Sequence, residues 1–505
     1  MASLKRNVAA NVLGQLYVAA VGIVMVPAYV RYMGMEAYGL ISFFVALQTW
    51  FALLDMGISP TLIRELSRYR AGAVSQASVW RFIRSAEWLF VLVGGASLLT
   101  IVLASQWIAE HWLQLKDISV AEASRCVGMM GVMVGSRWLT SLYRSGLTGM
   151  DRLPAVNLVA MLLATLRSVM VLGVLIWVST RCEVFFVYQL VVSALECVIF
   201  CVLFYRSLPG GLQAALKPDM AALPVFRFAG AMAGLTLAWG VIGQVDRLVL
   251  SHYLDLKAYG GYAIALVAAS SVTLLANPLT QALQPRLVFL AASHDETALA
   301  ELYRSGTQML MCVLAVVAGA AVFLGEPILW AWTGNRVLAQ QDANILALYA
   351  GGNALLALSS LVFQLQYARG QIRRHMVGSL AFSLIWIPST VFLSIHYGAA
   401  GAAWSWLIGN LAFFVGWMLG TQQRMLPGMS RSWITQDVLR APVLCLPIYA
   451  VLAWLFNSNA SRMVSVVSAC GAALLVALAG VWVSPRLKAM TMTYFSGLVC
   501  RIRSA

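Results

Sequence analysis

Runs of about 20 mostly apolar residues recur from one end of this chain to the other, and few folds can accommodate them. A hydrocarbon core roughly 30 Å thick takes about 20 apolar residues per helical crossing, and within it every backbone amide must find its partner inside the structure. The runs have the length of helices, so the chain reads as an all-α polytopic membrane protein. Its 10% of charged residues compares with about 25% in an ordinary soluble domain. Fourteen spans are expected, at 8–31, 38–56, 86–108, 120–142, 154–179, 184–205, 228–250, 259–282, 307–331, 344–367, 376–396, 399–420, 440–456 and 463–484. The opening MASLKR with the apolar run after it has the outline of a signal peptide, but Gln15, Pro27 and Arg31 fit a retained first helix better.

The formal charge of +15 reads as topology rather than nucleic-acid binding once the basic residues are placed between the spans. With the N-terminus inside, 24 of the 34 Lys and Arg fall on cytoplasmic segments and six on external ones: Arg31, Lys116, Arg181, Lys257, Arg336 and Arg462. This is the positive-inside asymmetry, and it puts both termini on the cytoplasmic side. The eight Cys contain no CxxC pair and lie mostly in apolar spans, as buried small hydrophobes do. The five His are scattered near span ends. No metal site and no cofactor are read from these patterns.

Two matches share one offset. Ala37-Tyr38-Gly39 recurs as Ala258-Tyr259-Gly260, and LTGMDR, ending at Arg152, recurs as ARGQIR, ending at Arg373, each 221 residues on. Six spans separate the copies, which leaves both in the same orientation across the membrane. The expected organisation is two six-helix lobes, 1–210 and 222–425, in pseudo-two-fold arrangement. A further helix pair at 438–485 follows, with a cytoplasmic tail at 486–505. Neither Ala441–Phe456 nor Met463–Pro485 carries an acidic or basic residue, so the pair reads as a lipid-facing appendix.

The opening NVLGQLYVAAVGIVMVPAYVRYMGMEAYGLISFFVALQTWFALLDMGISPTLIREL and the segment YRSGLTGMDRLPAVN, Tyr143 to Asn157, resemble the Wzx-type polysaccharide flippases. These carry O-antigen or exopolysaccharide repeat units and belong to the multidrug/oligosaccharidyl-lipid/polysaccharide exporter superfamily. The resemblance implies a V-shaped pair of six-helix bundles. It implies as substrate an undecaprenyl-pyrophosphate-linked oligosaccharide, moved from the inner to the outer leaflet. The extra C-terminal pair departs from the commonest twelve-helix pattern and is similar to the lipid II flippase layout.

Such a carrier needs a wet, polar, cationic cavity, because each unpaired polar group costs several kcal/mol in hydrocarbon. Helical spacing marks candidate lining. In the eighth span Ser270, Thr273, Asn277, Gln281 and Gln284 form a stripe over four turns. Gln189, Ser193 and Glu196 in the sixth span do likewise, as do Asn353, Ser360 and Gln364 in the tenth, Gln48 and Asp55 in the second, and Asn11 and Gln15 in the first. Hydrogen bonding between packed helices is the alternative for the shorter sets.

Four arginines fall within spans: Arg125, Arg137, Arg167 and Arg247. Arg167 has about a dozen helical residues on either side and is too deep to snorkel easily; the others lie nearer span ends. A guanidinium binds phosphate oxygens as a planar fork without losing its charge, so their expected role is substrate binding. Asp55, Glu196 and Asp246 are candidates for ion coupling. Salt bridging to an arginine, Arg167 with Glu196 for instance, is the alternative. No GxxxxGK[ST] loop occurs, which excludes ATP as the direct energy source.

The expected partners are the lipid-linked oligosaccharide, membrane lipids and other polysaccharide assembly proteins. A cation-coupled multidrug antiporter or a lipid II flippase would share the fold. A membrane-embedded polymerase or ligase would need a longer external segment than Ala109–Ala121, so an enzyme is not expected.

Overall fold

A computed structural model describes residues 2–55, 58–70, 72, 74–208, 240–455, 461–484 and 488. Among them the structure is helical, with one isolated bridge between Gln114 and Asp255. Among the described residues eleven helices are long and apolar enough to cross a membrane. One of these, Arg373–Met425, is two crossings: Gly398 takes φ 60° and ψ −142° in mid-run, a conformation glycine reaches without strain. The residues either side pair in antiparallel register, with Thr390 Oγ1 and Ser405 Oγ at 2.6 Å and the Phe382 and Phe413 rings at 5.1 Å. The reversal falls between the spans expected at 376–396 and 399–420.

Val120–Gly149 is a 30-residue helix. It is not among those eleven, yet it covers the span expected at 120–142. Residues 209–239 lie outside the described residues, and with them the first part of the span expected at 228–250 and the lobe boundaries expected at 210 and 222. The tail beyond 488 and the side chain of Asn11 lie outside them too. The fourteen expected spans are compatible with what is described.

The chain separates into two compact units, Met1–Gly260 and Gly261–Ala505. The first comprises α1 (Ala2–Met33), α2 (Met35–Ala52), α3 (Ile58–Arg70), α4 (Gln76–Trp107), α5 (Val120–Gly149), α6 (Leu153–Thr165), α7 (Val171–Trp177), α8 (Cys182–Ser207) and α9 (Val245–Tyr253). It ends on the first turn of α10 (Leu256–Ala292). Ser75 and Ser119 cap α4 and α5, accepting from the backbone N–H of Ser78 and Glu122. Helix α5 lies centrally, packed on α2, α3, α4 and α8. Phe90, Trp138, Leu142, Phe200 and Phe204 fill the core between these helices.

At one end of this unit the two Ala-Tyr-Gly copies cross. A Cβ on Gly39 would stand 2.0 Å from the Leu256 carbonyl oxygen, and one on Gly260 would stand 2.7 Å from that of Met35. A strap, residues 112–118, covers the crossing. The buried Glu36 carboxylate accepts the backbone N–H of Lys116 at 2.8 Å, Asp117 at 2.6 Å and Ile118 at 3.4 Å. Lys116 Nζ donates to Asp255 at 2.7 Å, the Leu256 N–H to the Gln114 carbonyl, and the Trp112 indole to Ser251.

The second unit is built on α11 (Glu296–Phe323), α12 (Gly325–Thr333), α13 (Arg336–Ala368) and the hairpin α14 (Ile372–Phe413). The last two spans join this core on one face. Tyr449 Oη donates to the Val316 carbonyl at 2.8 Å, and Cys312 Sγ meets Ser484 Oγ at 3.1 Å. The wholly buried Asp437 carboxylate accepts from Arg304 Nε and Gln308 Nε2, each at 2.6 Å. The other face, with Val443, Val451, Met463 and Val467, is exposed and apolar, as an appendix facing lipid requires.

Candidate functional site

The first unit encloses a cavity of about 830 Å³, lined from α1, α2, α5, α6 and α8. Six residues expected from the sequence meet in its wall: Gln15, Gln48, Asp55, Arg137, Arg167 and Glu196. The polar face of α8 builds it. Ser193 Oγ accepts from Arg137 Nε at 3.2 Å, Glu196 Oε2 from Arg167 Nη1 at 3.4 Å, and Gln189 Nε2 donates to the Arg167 carbonyl at 2.9 Å. A stripe that packing alone could have explained thus holds both arginines.

Arg167 sits in a π-helical turn, Leu166–Met170, between α6 and α7. Such a turn disturbs the i to i+4 ladder and leaves carbonyls open to other donors. Three consecutive carbonyls, of Leu166, Arg167 and Ser168, accept from Tyr188 Oη, Gln189 Nε2 and Tyr29 Oη at 2.8, 2.9 and 2.8 Å. The backbone that carries the guanidinium is therefore pinned from α1 and α8.

Arg137 is held by neutral groups. Its Nη1 donates to Gln48 Oε1 at 2.6 Å and its guanidinium lies 5.0 Å from the Phe44 ring centre. Among the described residues no carboxylate forms an ion pair with it, whereas Arg167 already has Glu196. Two turns along the same face of α5, Arg144 also lines the cavity, exposed and with its guanidinium 5.6 Å from the Phe200 ring centre. Arg137, Ser141 and Arg144 step by four and three, the spacing of one helical face. The sequence reading missed Arg144 by ending the fourth span at 142, although that spacing carried the signal.

Asp55 accepts from the Ser59 N–H at 3.3 Å and from its hydroxyl at 2.7 Å. It therefore caps α3 as well as lining the cavity. The wall carries three guanidiniums against two carboxylates; among the described residues Arg167 is ion-paired, to Glu196, while Arg137 and Arg144 are in contact with neutral groups.

The other expected residues lie elsewhere. Arg125 pairs with Glu183 at 2.8 Å near the opposite end of α5. Asp246 is buried on α9 and accepts the Arg247 N–H at 2.8 Å; neither lines the cavity. Asn353 ties three helices together, donating to the Ala269 carbonyl at 2.9 Å and accepting from Trp406 Nε1 at 3.0 Å. Gln364 is buried, its Oε1 without a partner among the described residues. The α10 stripe stays open: Asn277 and Gln281 are exposed, Thr273 and Gln284 half-buried. Among the described residues no cluster of His, Cys, Asp or Glu could hold a metal.

A bundle of spanning helices around a cavity that charged side chains border has the form of a membrane carrier. The family described as polysaccharide biosynthesis protein matches residues 4–291, and the chain belongs to that family. Among solved structures it is similar to the lipid II flippase MurJ in an inward closed conformation, with TM-score 0.72 and 13% identity over 96% of this chain and 99% of that one. It is also similar to an inward-facing multidrug resistance MATE family transporter of the MOP superfamily, with TM-score 0.64 and 14% identity over 82% of this chain and 94% of that one. A MOP superfamily transporter from Pyrococcus furiosus shares the fold at TM-score 0.55 and 14% identity, over 85% of this chain and 96% of that one. Among curated proteins none matches the sequence. The fold is the one shared by this flippase and these transporters.

Proposed function

We propose that this chain is a flippase for an undecaprenyl-pyrophosphate-linked oligosaccharide. It would move its substrate from the cytoplasmic to the outer leaflet of a bacterial inner membrane by alternating access, with both termini cytoplasmic. The observation that carries this reading is Arg137, a cation held in the cavity wall by Gln48, Ser193 and the Phe44 ring, with no carboxylate paired to it among the described residues. Within a membrane span a cation without a paired counter-ion is costly unless a ligand supplies the charge. A pyrophosphate diester supplies it, and Arg144 on the same face of α5 lies within the same cavity to share the load. The exposed polar stripe on α10 fits a path bordered by water, since amides facing hydrocarbon would each cost several kcal/mol.

The membrane potential favours outward movement, by about 2.3 kcal/mol per charge per 100 mV. A cation antiporter is the weaker reading, because the cavity presents more cations than carboxylates and both carboxylates have hydrogen-bonding partners. Proteoliposomes with a fluorescent lipid-pyrophosphate oligosaccharide test the reading. Glycan should become accessible to a membrane-impermeant glycosidase, and a phosphate-free glycolipid should not move. Equal movement of both lipids, or of neither, would count against it.

A further inference from the structure

The corner between α13 and α14 carries the second copy of a repeated motif. At the 221-residue offset Asp151-Arg152-Leu153 becomes Ile372-Arg373-Arg374, so the second copy has one acid fewer and one cation more. In the first copy Asp151 pairs with Arg70 at 3.2 Å; in the second, Arg374 is held by neutral groups. Its Nε donates to Thr421 Oγ1 at 2.9 Å, and its guanidinium lies 5.4 Å from the centre of the Trp417 ring system. The charge that bears on it is a further cation, the exposed Arg424. Trp417, Thr421 and Arg424 step by four and three, the spacing of one helical face. Among the described residues neither Arg374, Arg424 nor the exposed Arg373 forms an ion pair. Like charges this close repel, and an anion between them relieves the repulsion. Three spans start or stop at this corner, at Ala368, Arg373, Met425 and Ser430, which sets it in the headgroup layer of a bilayer. From Arg373 one exposed apolar face continues along α14 through Val377, Leu380 and Leu384.

We propose that Arg374 and Arg424 hold the headgroup of an anionic phospholipid, its phosphate between the two guanidiniums and its acyl chains along the Val377, Leu380 and Leu384 face. The charge pattern selects the headgroup. A phosphate accepts from both guanidiniums at once, each offering a planar fork of donors. An ethanolamine or choline headgroup brings an ammonium to two cations that have no carboxylate beside them to receive it. A glycerol headgroup, whose phosphate is its only charge, meets no such repulsion. Thr421 and Trp417 fix Arg374 before the lipid arrives, so less side-chain freedom is lost on binding. The inference stands apart from whatever the first unit carries.

Native mass spectrometry of the full chain in detergent, with phosphatidylglycerol, phosphatidylethanolamine or phosphatidylcholine added at equal concentration, tests it. The wild-type protein should retain phosphatidylglycerol about tenfold better than either zwitterionic lipid, the size of one hydrogen bond to a charged group. Arg374→Gln with Arg424→Gln should erase the preference, and Arg374→Lys with Arg424→Lys should keep part of it, having the charges without the forks. Arg286→Gln, which removes an exposed cation on α10 of the same unit, should leave it unchanged. Equal retention of the three lipids by the wild-type protein, which needs no variant to fold, would overturn the proposal. So would an unchanged preference in a monodisperse Arg374→Gln, Arg424→Gln protein, or an equal loss in Arg286→Gln, which would mark attraction to diffuse positive charge and no defined site.

Discussion

Gly39 and Gly260 lie 221 residues apart in sequence and against each other in the fold, each where the first turn of the other's helix passes. A Cβ on Gly260 would stand 3.2 Å from the Gly39 nitrogen, and the clashing carbonyls, of Leu256 and Met35, are themselves 221 residues apart. The contact therefore maps onto itself under the offset that relates the two copies, as a two-fold contact does. This explains why one short motif stands at the start of a span in both halves of the sequence: neither helix can carry a side chain at that point.

Gly39→Ala should cost about 1–3 kcal/mol, as overpacking does, because the atom it meets is a backbone oxygen that cannot rotate away. Gly95, exposed in α4 and with open space for 4 Å around the point a Cβ would occupy, is the control, and its replacement by Ala should lose nothing. Thermal unfolding of the purified proteins in detergent compares them. Equal midpoints for Gly39→Ala and Gly95→Ala would remove the crossing from any structural role.

The strap over the crossing has a pH dependence of known sign. Burial pushes the Asp255 carboxyl upward, but the hydrogen bond from Lys116 and the N–H of Ala258 outweigh it and hold Asp255 below its usual range. A depressed carboxyl contributes stability that is present above its unfolded value of about 3.9 and is lost as pH falls through the folded one. The stability gap between wild type and Asp255→Asn should be constant from about pH 8 to 5 and shrink below about pH 4. A gap that widened on acidification would reverse the assignment.

Removing the chain beyond Met429 should destabilise the second unit, because Arg304 and Gln308 both donate to the buried Asp437. Asp437→Ala alone should cost about 3–5 kcal/mol, the penalty for leaving a buried charge unpaired. Gel filtration of the truncated and Asp437→Ala proteins should find aggregated or depleted material. A monodisperse truncated protein with an unchanged melting point would show that the second unit does not depend on these contacts.

Much of the architecture was legible because spanning helices are written locally, in 20-residue apolar runs and in the positions of Lys and Arg. The reversal at Gly398, the depth of Arg167 and the Gln189, Ser193, Glu196 face all follow from spacing. What spacing cannot give is which distant side chain answers a charge. Arg125 meets Glu183 from 58 residues away, and Asn353 spends its amide on packing. Arg144 was hidden for a different reason: α5 continues to Gly149, past the point where its apolar pattern ends, because α3 and α8 cover it there instead of lipid.

Transfer of a lipid-pyrophosphate oligosaccharide by Arg137 and Arg167 variants of equal abundance is the most direct test of how the cavity is used. Arg137→Gln should lower transfer about 10- to 100-fold, the equivalent of roughly 1.5–3 kcal/mol for a hydrogen bond to a charged group, with the protein still folded. Arg137→Lys should keep part of the activity, having the charge without the fork. Arg167→Gln should lose stability, and Arg167→Gln with Glu196→Gln should recover both stability and transfer, since that pair neutralises itself. Wild-type transfer by Arg137→Gln, together with a stable but inactive double variant, would move the phosphate site from Arg137 to Arg167.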